Sequence, residues 1–240
     1  MTAHLPEIVI KANQKHEVAN YGLSLSYDIK TKVTTAFLYG CHVTTQCTIY
    51  KRNKHPELSP QLGQLCDEIN AMSDLWSHPL VLPVALLVNH FNRLAYRANV
   101  VLDTKILKLE KALGQTWAGR LRSGCTAFSQ SDRFTQELKI SDAAFTLPDF
   151  TSITKKLNTT LTELIQINRC AAWELEVIAF LKDILKDSRY TPALNQLSED
   201  QRRQVEETLE YMTYSVKAIS ARIAELRARA ETQLEVVRTL

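Results

Sequence analysis

The position of the glycines constrains this chain of 240 residues more than any other feature. All six glycines lie at or before Gly124, and the residues that follow contain only two prolines, Pro148 and Pro192. Because glycine and proline mark turns and interrupt helices, a half-chain almost free of them is expected to form long helices. The distribution disfavours an all-β sandwich or barrel, a glycine-rich phosphate loop in the second half, and a disordered tail.

The first 60 residues are patterned for strands. Tyr21–Tyr27 alternates apolar and polar side chains with the period of a half-buried strand. Glu7–Ala12 and Val33–Tyr39 are strand candidates on either side of it, and Asp28–Thr31 is a predicted turn. Thr44–Tyr50 is a further strand candidate. We therefore expect a small β-containing layer at the N-terminus.

The next part of the chain is patterned for helices, because apolar residues recur at spacings of three and four. One helix is expected over residues 61–76. A second begins at Pro79 and runs to about residue 113, with an apolar face through Leu87, Phe91, Leu94, Ala98 and Val101. Residues 114–148 are rich in Ser, Thr and Gly and are expected to form a flexible connector.

Two long helices are expected after this connector. The first covers residues 149–187, with Asp149 or Thr151 as its cap. The second begins at Ser198, which forms a capping-box pattern with Gln201. The predicted inner face of the first comprises Ile153, Leu157, Leu161, Leu164, Asn168, Ala171, Leu175 and Ile178.

The last helix carries a heptad seam of apolar residues that continues for more than four heptads. This seam has two interpretations. It can pack against the helix over 149–187 as an antiparallel hairpin, or it can be the interface of an oligomer. It still continues at Val237 without a terminating glycine, so we expect the helix to extend beyond this chain. The candidate interaction seam comprises Val205, Leu209, Met212, Val216, Ile219, Ile223 and Leu226.

These patterns together predict an α+β fold that is predominantly α. A small N-terminal β-containing layer is followed by long antiparallel helices, and the last helix resembles a stalk. We divide the chain into an N-terminal α/β layer over 1–77, a helix with a flexible connector over 78–148, and a long helical hairpin or stalk over 149–240.

Charge and cysteine usage indicate the class of protein. The net charge is +3, and no segment has the dense basic footprint of a nucleic-acid binder. Five cysteines without a CxxC pair, and a polar N-terminus without a signal peptide, indicate a reduced, intracellular protein. The longest apolar run, Leu80–Val88, is too short to span a bilayer, so we expect the chain to be soluble.

No motif of an enzyme is present in the sequence. It contains no HExxH, no GxSxG, and no phosphate loop with its Lys-Ser/Thr, so we expect no catalytic activity and assign no catalytic or cofactor-binding residue. His78 is interpreted as a residue that caps or packs at a helix start. Two acidic groups can be either divalent-cation contacts or solvated helix faces: Glu206, Glu207 and Glu210, and also Glu174 and Glu176.

Several short strings resemble a known family. Two stretches resemble the N-terminal region of fungal CorA-like proteins. One is Ser24-Leu-Ser-Tyr-Asp28 with Thr31, Thr34 and Ala36-Phe-Leu-Tyr-Gly40, and the other is His78-Pro-Leu-Val-Leu-Pro83 followed by Leu86-Leu87 and Asn89-His90. Ala228-Arg-Ala230 with Gln233-Leu234 resembles the approach of that family to its membrane segment. These proteins belong to the wider family of CorA-type magnesium and cobalt channels.

The resemblance implies a domain on the cytoplasmic side of a membrane. In that family an α/β layer leads into long helices, the protein assembles as a homopentamer, and Mg²⁺ bound by acidic residues between subunits closes the pore. The chain lacks the Gly-Met-Asn pore signature and both transmembrane helices, so we expect it to conduct no ions.

The expected function is therefore that of a soluble cytoplasmic regulatory domain of a CorA-like magnesium transport protein. Mg²⁺ is the expected regulatory ion. The expected partners are further copies of the chain, through its long helices, and the membrane segment of the same protein. The alternative is a self-contained helical coiled-coil protein that acts in interaction or scaffolding without a role in transport.

Overall fold

The fold is α+β and predominantly α, as the sequence predicts. A three-stranded antiparallel sheet precedes a series of helices. The computed structural model describes residues 7–13, 20–40, 60–113, 149–187, 189–190 and 198–239.

The sheet has the order β1-β2-β3, with β1 over Ile8–Asn13, β2 over Asn20–Asp28 and β3 over Val33–Gly40. The turn between β2 and β3 covers residues 29–32, one residue later than the predicted turn over Asp28–Thr31, and ends at Lys32 with a φ of 58°. The candidate strand over Thr44–Tyr50 lies outside the described residues. One face of the sheet enters the core through Ile8, Ile10, Leu23, Leu25 and Tyr27.

The first helical region has the predicted position, but it is divided into several elements. Helix α1 covers Pro60–Ala71 and is followed by a short 3-10 helix at Ser73–Leu75. Helix α2 covers Val81–Tyr96 and continues through a π-helical turn at Arg97–Leu102 into α3, which covers Asp103–Ala112.

The two long helices begin close to where the sequence predicts. Helix α4 covers Phe150–Lys186, and the carboxylate of Asp149 caps it by accepting a hydrogen bond from the backbone three residues later. Helix α5 covers Glu199–Thr239. The capping box is confirmed, because the Gln201 N–H donates to Ser198 Oγ at 3.2 Å and the Ser198 N–H faces Gln201 Oε1 at 3.4 Å. The predicted connector over 114–148 lies outside the described residues.

Contacts between side chains give the direction of α4 relative to α2. His90 of α2 lies beside Glu174 of α4, and Arg97, about two turns further along, lies beside Glu163. The residue numbers rise on one helix while they fall on the other, so α2 and α4 are antiparallel.

Helix α5 runs in the same direction as α3. Asp103 of α3 pairs with Arg222 of α5, and Glu110 pairs with Arg229, so the numbers rise together on both helices. Helix α5 is therefore antiparallel to α4, and the predicted helical hairpin is present. A 41-residue α-helix such as α5 is about 60 Å long at 1.5 Å per residue.

One hydrophobic core joins the sheet to the helices. It contains the buried sheet face, the inner faces of α2 and α3, and residues of α4 and α5. All three segments predicted from the sequence, 1–77, 78–148 and 149–240, contribute residues to this core.

The inner face of α4 differs from the predicted stripe. Asn168 is exposed, whereas Ile167 and Glu174 are buried. Leu161 and Leu175 are only half-buried. The reason is that α4 contacts both α2 and α5, so its buried face is wider than one heptad seam and includes positions beside those predicted.

The π-helical turn sets the register of α3. Arg97 Nη2 and Lys105 Nζ lie 3.2 Å and 2.7 Å from Glu163. On a regular α-helix, two residues eight positions apart point in directions that differ by about 80° around the axis. If one residue between them is an insertion, they are in effect seven positions apart and differ by only about 20°. A π turn holds one such extra residue. It also keeps Ala98 and Leu102 on the buried face.

Deletion of Val100 should convert the π turn to a regular α-helix without changing which residues face the core. Val100 is 47% exposed, so little packing is lost. We expect the free energy of unfolding, measured by urea denaturation followed by circular dichroism, to stay within about 1 kcal/mol of the wild type or to rise.

The matched control is deletion of Asn168, an exposed residue in the regular helix α4. This deletion rotates half of α4 by about 100° and should cost at least about 4 kcal/mol. If deletion of Val100 cost as much as deletion of Asn168, the π turn would not be the source of the register.

Arg229 fastens α5 to α3 and gives a second prediction. Its guanidinium donates to both carboxylate oxygens of Glu110 at 2.8 and 2.9 Å, and to Asp103 at 2.8 Å. Arg229→Met should lower the free energy of unfolding by about 2–3 kcal/mol, because the partly buried carboxylate of Glu110 loses a bidentate partner and Asp103 loses one of its arginine contacts.

Arg227→Met is the control for this prediction, because Arg227 forms an exposed ion pair with Glu231. Such pairs contribute at most about 0.5 kcal/mol. Equal effects of the two substitutions in thermal unfolding would contradict the role given to Arg229.

Candidate functional site: a buried histidine–glutamate pair

The seven candidate seam residues are brought together inside the chain. Each of them is at most 8% exposed, and all belong to the core between α5 and its neighbours. The described structure therefore uses this seam for internal packing. The residues are Val205, Leu209, Met212, Val216, Ile219, Ile223 and Leu226.

The first acidic group lies on the solvent face of α5. Glu206, Glu207 and Glu210 are all exposed. Arg202 lies 3.3 Å from Glu206, and Arg203 lies 3.8 Å from Glu207. These carboxylates are therefore solvated, and two of them are in part neutralised by arginines one turn earlier on the same helix.

The second acidic group is divided between solvent and core. Glu176 is exposed, as a solvated helix face requires, but Glu174 is fully buried. The interpretation of Glu174 as part of a solvated face is thus wrong. The helix turns by about 200° between the two residues, so one of them points outward and the other inward.

His78 organises the start of α2. Its side chain is buried, and its Nδ1 accepts a hydrogen bond from the backbone N–H of Leu80 at 3.1 Å. Burial lowers the pKa of His78 to about 4, so the imidazole is neutral near pH 7. Of the two roles expected of His78, packing is confirmed; its bond to Leu80 lies just before α2 and is not a cap bond to the first turn of this helix.

The most unusual chemical group in the described core is the pair of His90 and Glu174. His90 Nδ1 lies 3.4 Å from Glu174 Oε2, and both side chains are completely buried. This distance is longer than an ordinary hydrogen bond. Burial raises the pKa of Glu174, and the nearby imidazole of His90 only partly opposes this effect.

The pair also contacts the sheet through Trp173. The rings of Trp173 and His90 lie 4.8 Å apart between centroids, at an angle of 54°. The indole N–H of Trp173 donates to the backbone carbonyl of Lys11 in β1 at 3.0 Å. The site therefore joins β1, α2 and α4 at one point.

Cys170 precedes Glu174 by one turn of α4 and is also buried. Burial and the adjacent carboxylate raise the pKa of this thiol to about 12. The sulfur is thus a thiol at neutral pH and acts here as a small packing group, not as a nucleophile.

Sequence patterns did not identify this pair, although a signal was present. Glu174 lies three residues after Ala171 and four before Ile178, both of which are inner-face positions of α4. A carboxylate between such positions indicates either a break in the face or a buried charge. The predicted inner face of α4 included Leu175 and not Glu174, so it gave no indication that this carboxylate is buried.

The described residues contain no group of three or more His, Cys, Asp or Glu side chains arranged to hold a metal ion. None of the helices in the described ranges is both long enough and apolar enough to cross a membrane. The arrangement at His90 and Glu174 can hold and release a proton.

His78 should make the fold sensitive to acid. Its pKa is about 4 in the folded chain and about 6.5 in the unfolded chain, so the unfolded state binds the proton more tightly. The stability that neutral His78 confers is complete above pH 6.5 and is lost as the pH falls toward 4. The expected loss is about 3 kcal/mol.

His78→Asn provides the test, because the Asn oxygen can accept the Leu80 hydrogen bond but does not titrate. We expect the free energy of unfolding of this variant to fall less than that of the wild type between pH 7.5 and pH 4.5. An unchanged dependence on pH would show that another group is responsible.

Comparison with known proteins yields no match for this chain: no protein-family model, no curated protein and no solved structure matches it. What the chain does must therefore be inferred from its own residues and their geometry.

Proposed function

We propose that this chain is the regulatory part of a CorA-like divalent-cation transport protein and is itself neither conducting nor catalytic. Mg²⁺ is the proposed regulatory ion, and further copies of the chain and the membrane segment of the same protein are its proposed partners. The proposed place of the domain is the cytoplasmic side of a membrane.

The order of the elements supports this proposal. A small β layer comes first, long helices follow, and α5 with 41 residues is the longest of the described helices. This is the order that the resemblance to CorA-like proteins implies. The resemblance strings fall on β2, on β3, at the start of α2 and near the end of α5.

The observation that carries the proposal is the division of α5 into two faces. One face is buried against α2, α3 and α4 by the seven seam residues and is fastened to α3 by Arg229. The other face carries the exposed carboxylates of Glu206, Glu207 and Glu210. A rod built in this way can transmit a displacement along its axis while its outer face binds cations.

The proposed mechanism is a shift in an equilibrium between two packings of subunits. Carboxylates on neighbouring copies repel one another, and a divalent cation between them removes the repulsion because hard oxygen ligands bind it. The ion stabilises the packing that it binds more tightly. Helix α5 then transmits this change toward the membrane segment.

Magnesium titration tests the proposal directly. The chain is melted in 0–20 mM MgCl₂ and in NaCl of matched ionic strength, and sedimentation velocity is recorded in parallel. We expect a higher melting temperature and a larger sedimentation coefficient in MgCl₂ alone, since an ion that binds the folded state stabilises it by about 2.7 kcal/mol at 100 times its Kd.

A triple substitution of Glu206, Glu207 and Glu210 to Gln should abolish both effects. Substitution of Glu231 and Glu235 to Gln on the later turns of α5 is the control and should leave them unchanged. Identical melting in MgCl₂ and in the matched salt would contradict cation sensing.

The alternative, a helical scaffold without a role in transport, predicts self-association that does not depend on Mg²⁺. In that case the contact surface must differ from the candidate seam, since those residues lie in the core of the described chain. The same sedimentation experiment separates the two functions.

A further inference from the structure

We propose that the buried pair of His90 and Glu174 is a proton-linked latch that fixes the N-terminal sheet to the helices. The pair lies between α2 and α4 with no exposed side-chain surface. Its protonation then controls how firmly β1 is docked. This property is independent of whether the protein is part of a transport system.

A chain of direct contacts connects the pair to the sheet. Glu174 Oε2 lies 3.4 Å from the imidazole of His90, and the His90 ring packs against the ring of Trp173. Trp173 in turn donates its indole hydrogen bond to the Lys11 carbonyl of β1. A displacement of the His90 ring therefore removes the support of the indole that ties β1 to α4 by its hydrogen bond.

The number of protons on the pair decides whether it can stay buried. With one proton, the pair is neutral overall, whether that proton is on the imidazole or on the carboxyl group. Loss of this proton leaves a carboxylate buried beside a neutral imidazole, and a buried charge without a countercharge costs several kcal/mol. The cost is relieved if water reaches Glu174, which requires the Trp173–His90 contact to open.

The surroundings of the pair give the direction of the effect. Within the described chain, His90 from α2 and the thiol of Cys170 on α4 are the titratable groups that interact with Glu174. Strand β1 contributes the Lys11 carbonyl, while the Lys11 side chain is exposed. No charged group from the described residues of α5 affects this carboxylate.

Docking is therefore strongest when the pair holds its proton and weakens as the pH rises. The pKa of Glu174 is raised in the docked state, so this state binds the proton more tightly than a state in which Glu174 is hydrated. The loss begins above the ordinary pKa of Glu and continues through the higher pKa of the docked state.

Hydrogen exchange at different pH values tests the latch. Protection factors of the β1 amides, corrected for the intrinsic exchange rate at each pH, are measured between pH 6 and pH 9. We expect them to fall about tenfold in the wild type, while protection on the facing segments of α4 and α5 is retained. In Glu174→Gln, whose amide mimics the protonated carboxyl group, β1 protection should not change with pH.

Two further variants keep the test decisive. Glu176→Gln, on the exposed side of α4, should behave as the wild type does. The double substitution His90→Phe with Glu174→Leu retains a ring against Trp173 but cannot titrate, and its β1 protection should be independent of pH. This variant also provides the test if Glu174→Gln does not fold.

Tryptophan emission gives an independent measurement. In a Trp76→Phe, Trp117→Phe background, only Trp173 emits, and its emission should shift to longer wavelength as the pH rises. Addition of Glu174→Gln should remove this shift. The latch would be overturned if Glu174→Gln kept the pH dependence of the wild type, or if protection in α4 and α5 fell together with that in β1.

Discussion

Burial of one seam of α5 against α2, α3 and α4 is the interaction on which the rest of the structure depends. Each fully buried aliphatic side chain contributes roughly 1.5–3 kcal/mol, and the seam supplies seven of them along one helix. Helix α5 then provides the surface against which α3 and α4 are aligned. The ion pairs of Arg222 and Arg229 with α3 fix the position along the axis, whereas the apolar contacts alone would permit sliding.

Periodicity predicted the parts of this fold that depend on local sequence. The strands around Tyr21–Tyr27, the cap at Asp149 and the capping box at Ser198 are all present, because each depends on residues within a few positions of one another. The inner face of α4 was predicted less well. Its position depends on how many helices surround it, which is a property of the tertiary structure.

The candidate site could not be predicted in this way. His90 and Glu174 are 84 residues apart in the sequence. Asn89-His90 belongs to one of the strings that resemble CorA-like proteins, but nothing in that string points to Glu174. The sequence alone does not distinguish a buried glutamate from an exposed one, because burial depends on the helices that surround it. The π turn was missed for a similar reason, since the extra residue between Arg97 and Leu102 has no signature beyond a shift of the apolar face from Val101 to Leu102.

The structure combines two kinds of electrostatic interaction that respond to different solution conditions. The exposed carboxylates of α5 are open to counterions, so their interactions weaken with salt. The pair of His90 and Glu174 is completely buried and therefore shielded from salt, and the proposed latch makes it respond to protons. In the proposed function and the proposed latch, cation level and pH therefore act on different groups of the same bundle.

The π turn also affects how this chain can vary in length. A sequence that lacks one residue between Arg97 and Leu102 can form a straight helix with the same core, and the same contacts to Glu163 remain within reach. If a related sequence lacked one residue at this place, its α2 and α3 would still align with those of this chain, residue for residue. Elsewhere in the regular part of α4, the same gap would indicate that the two halves of the helix are no longer comparable.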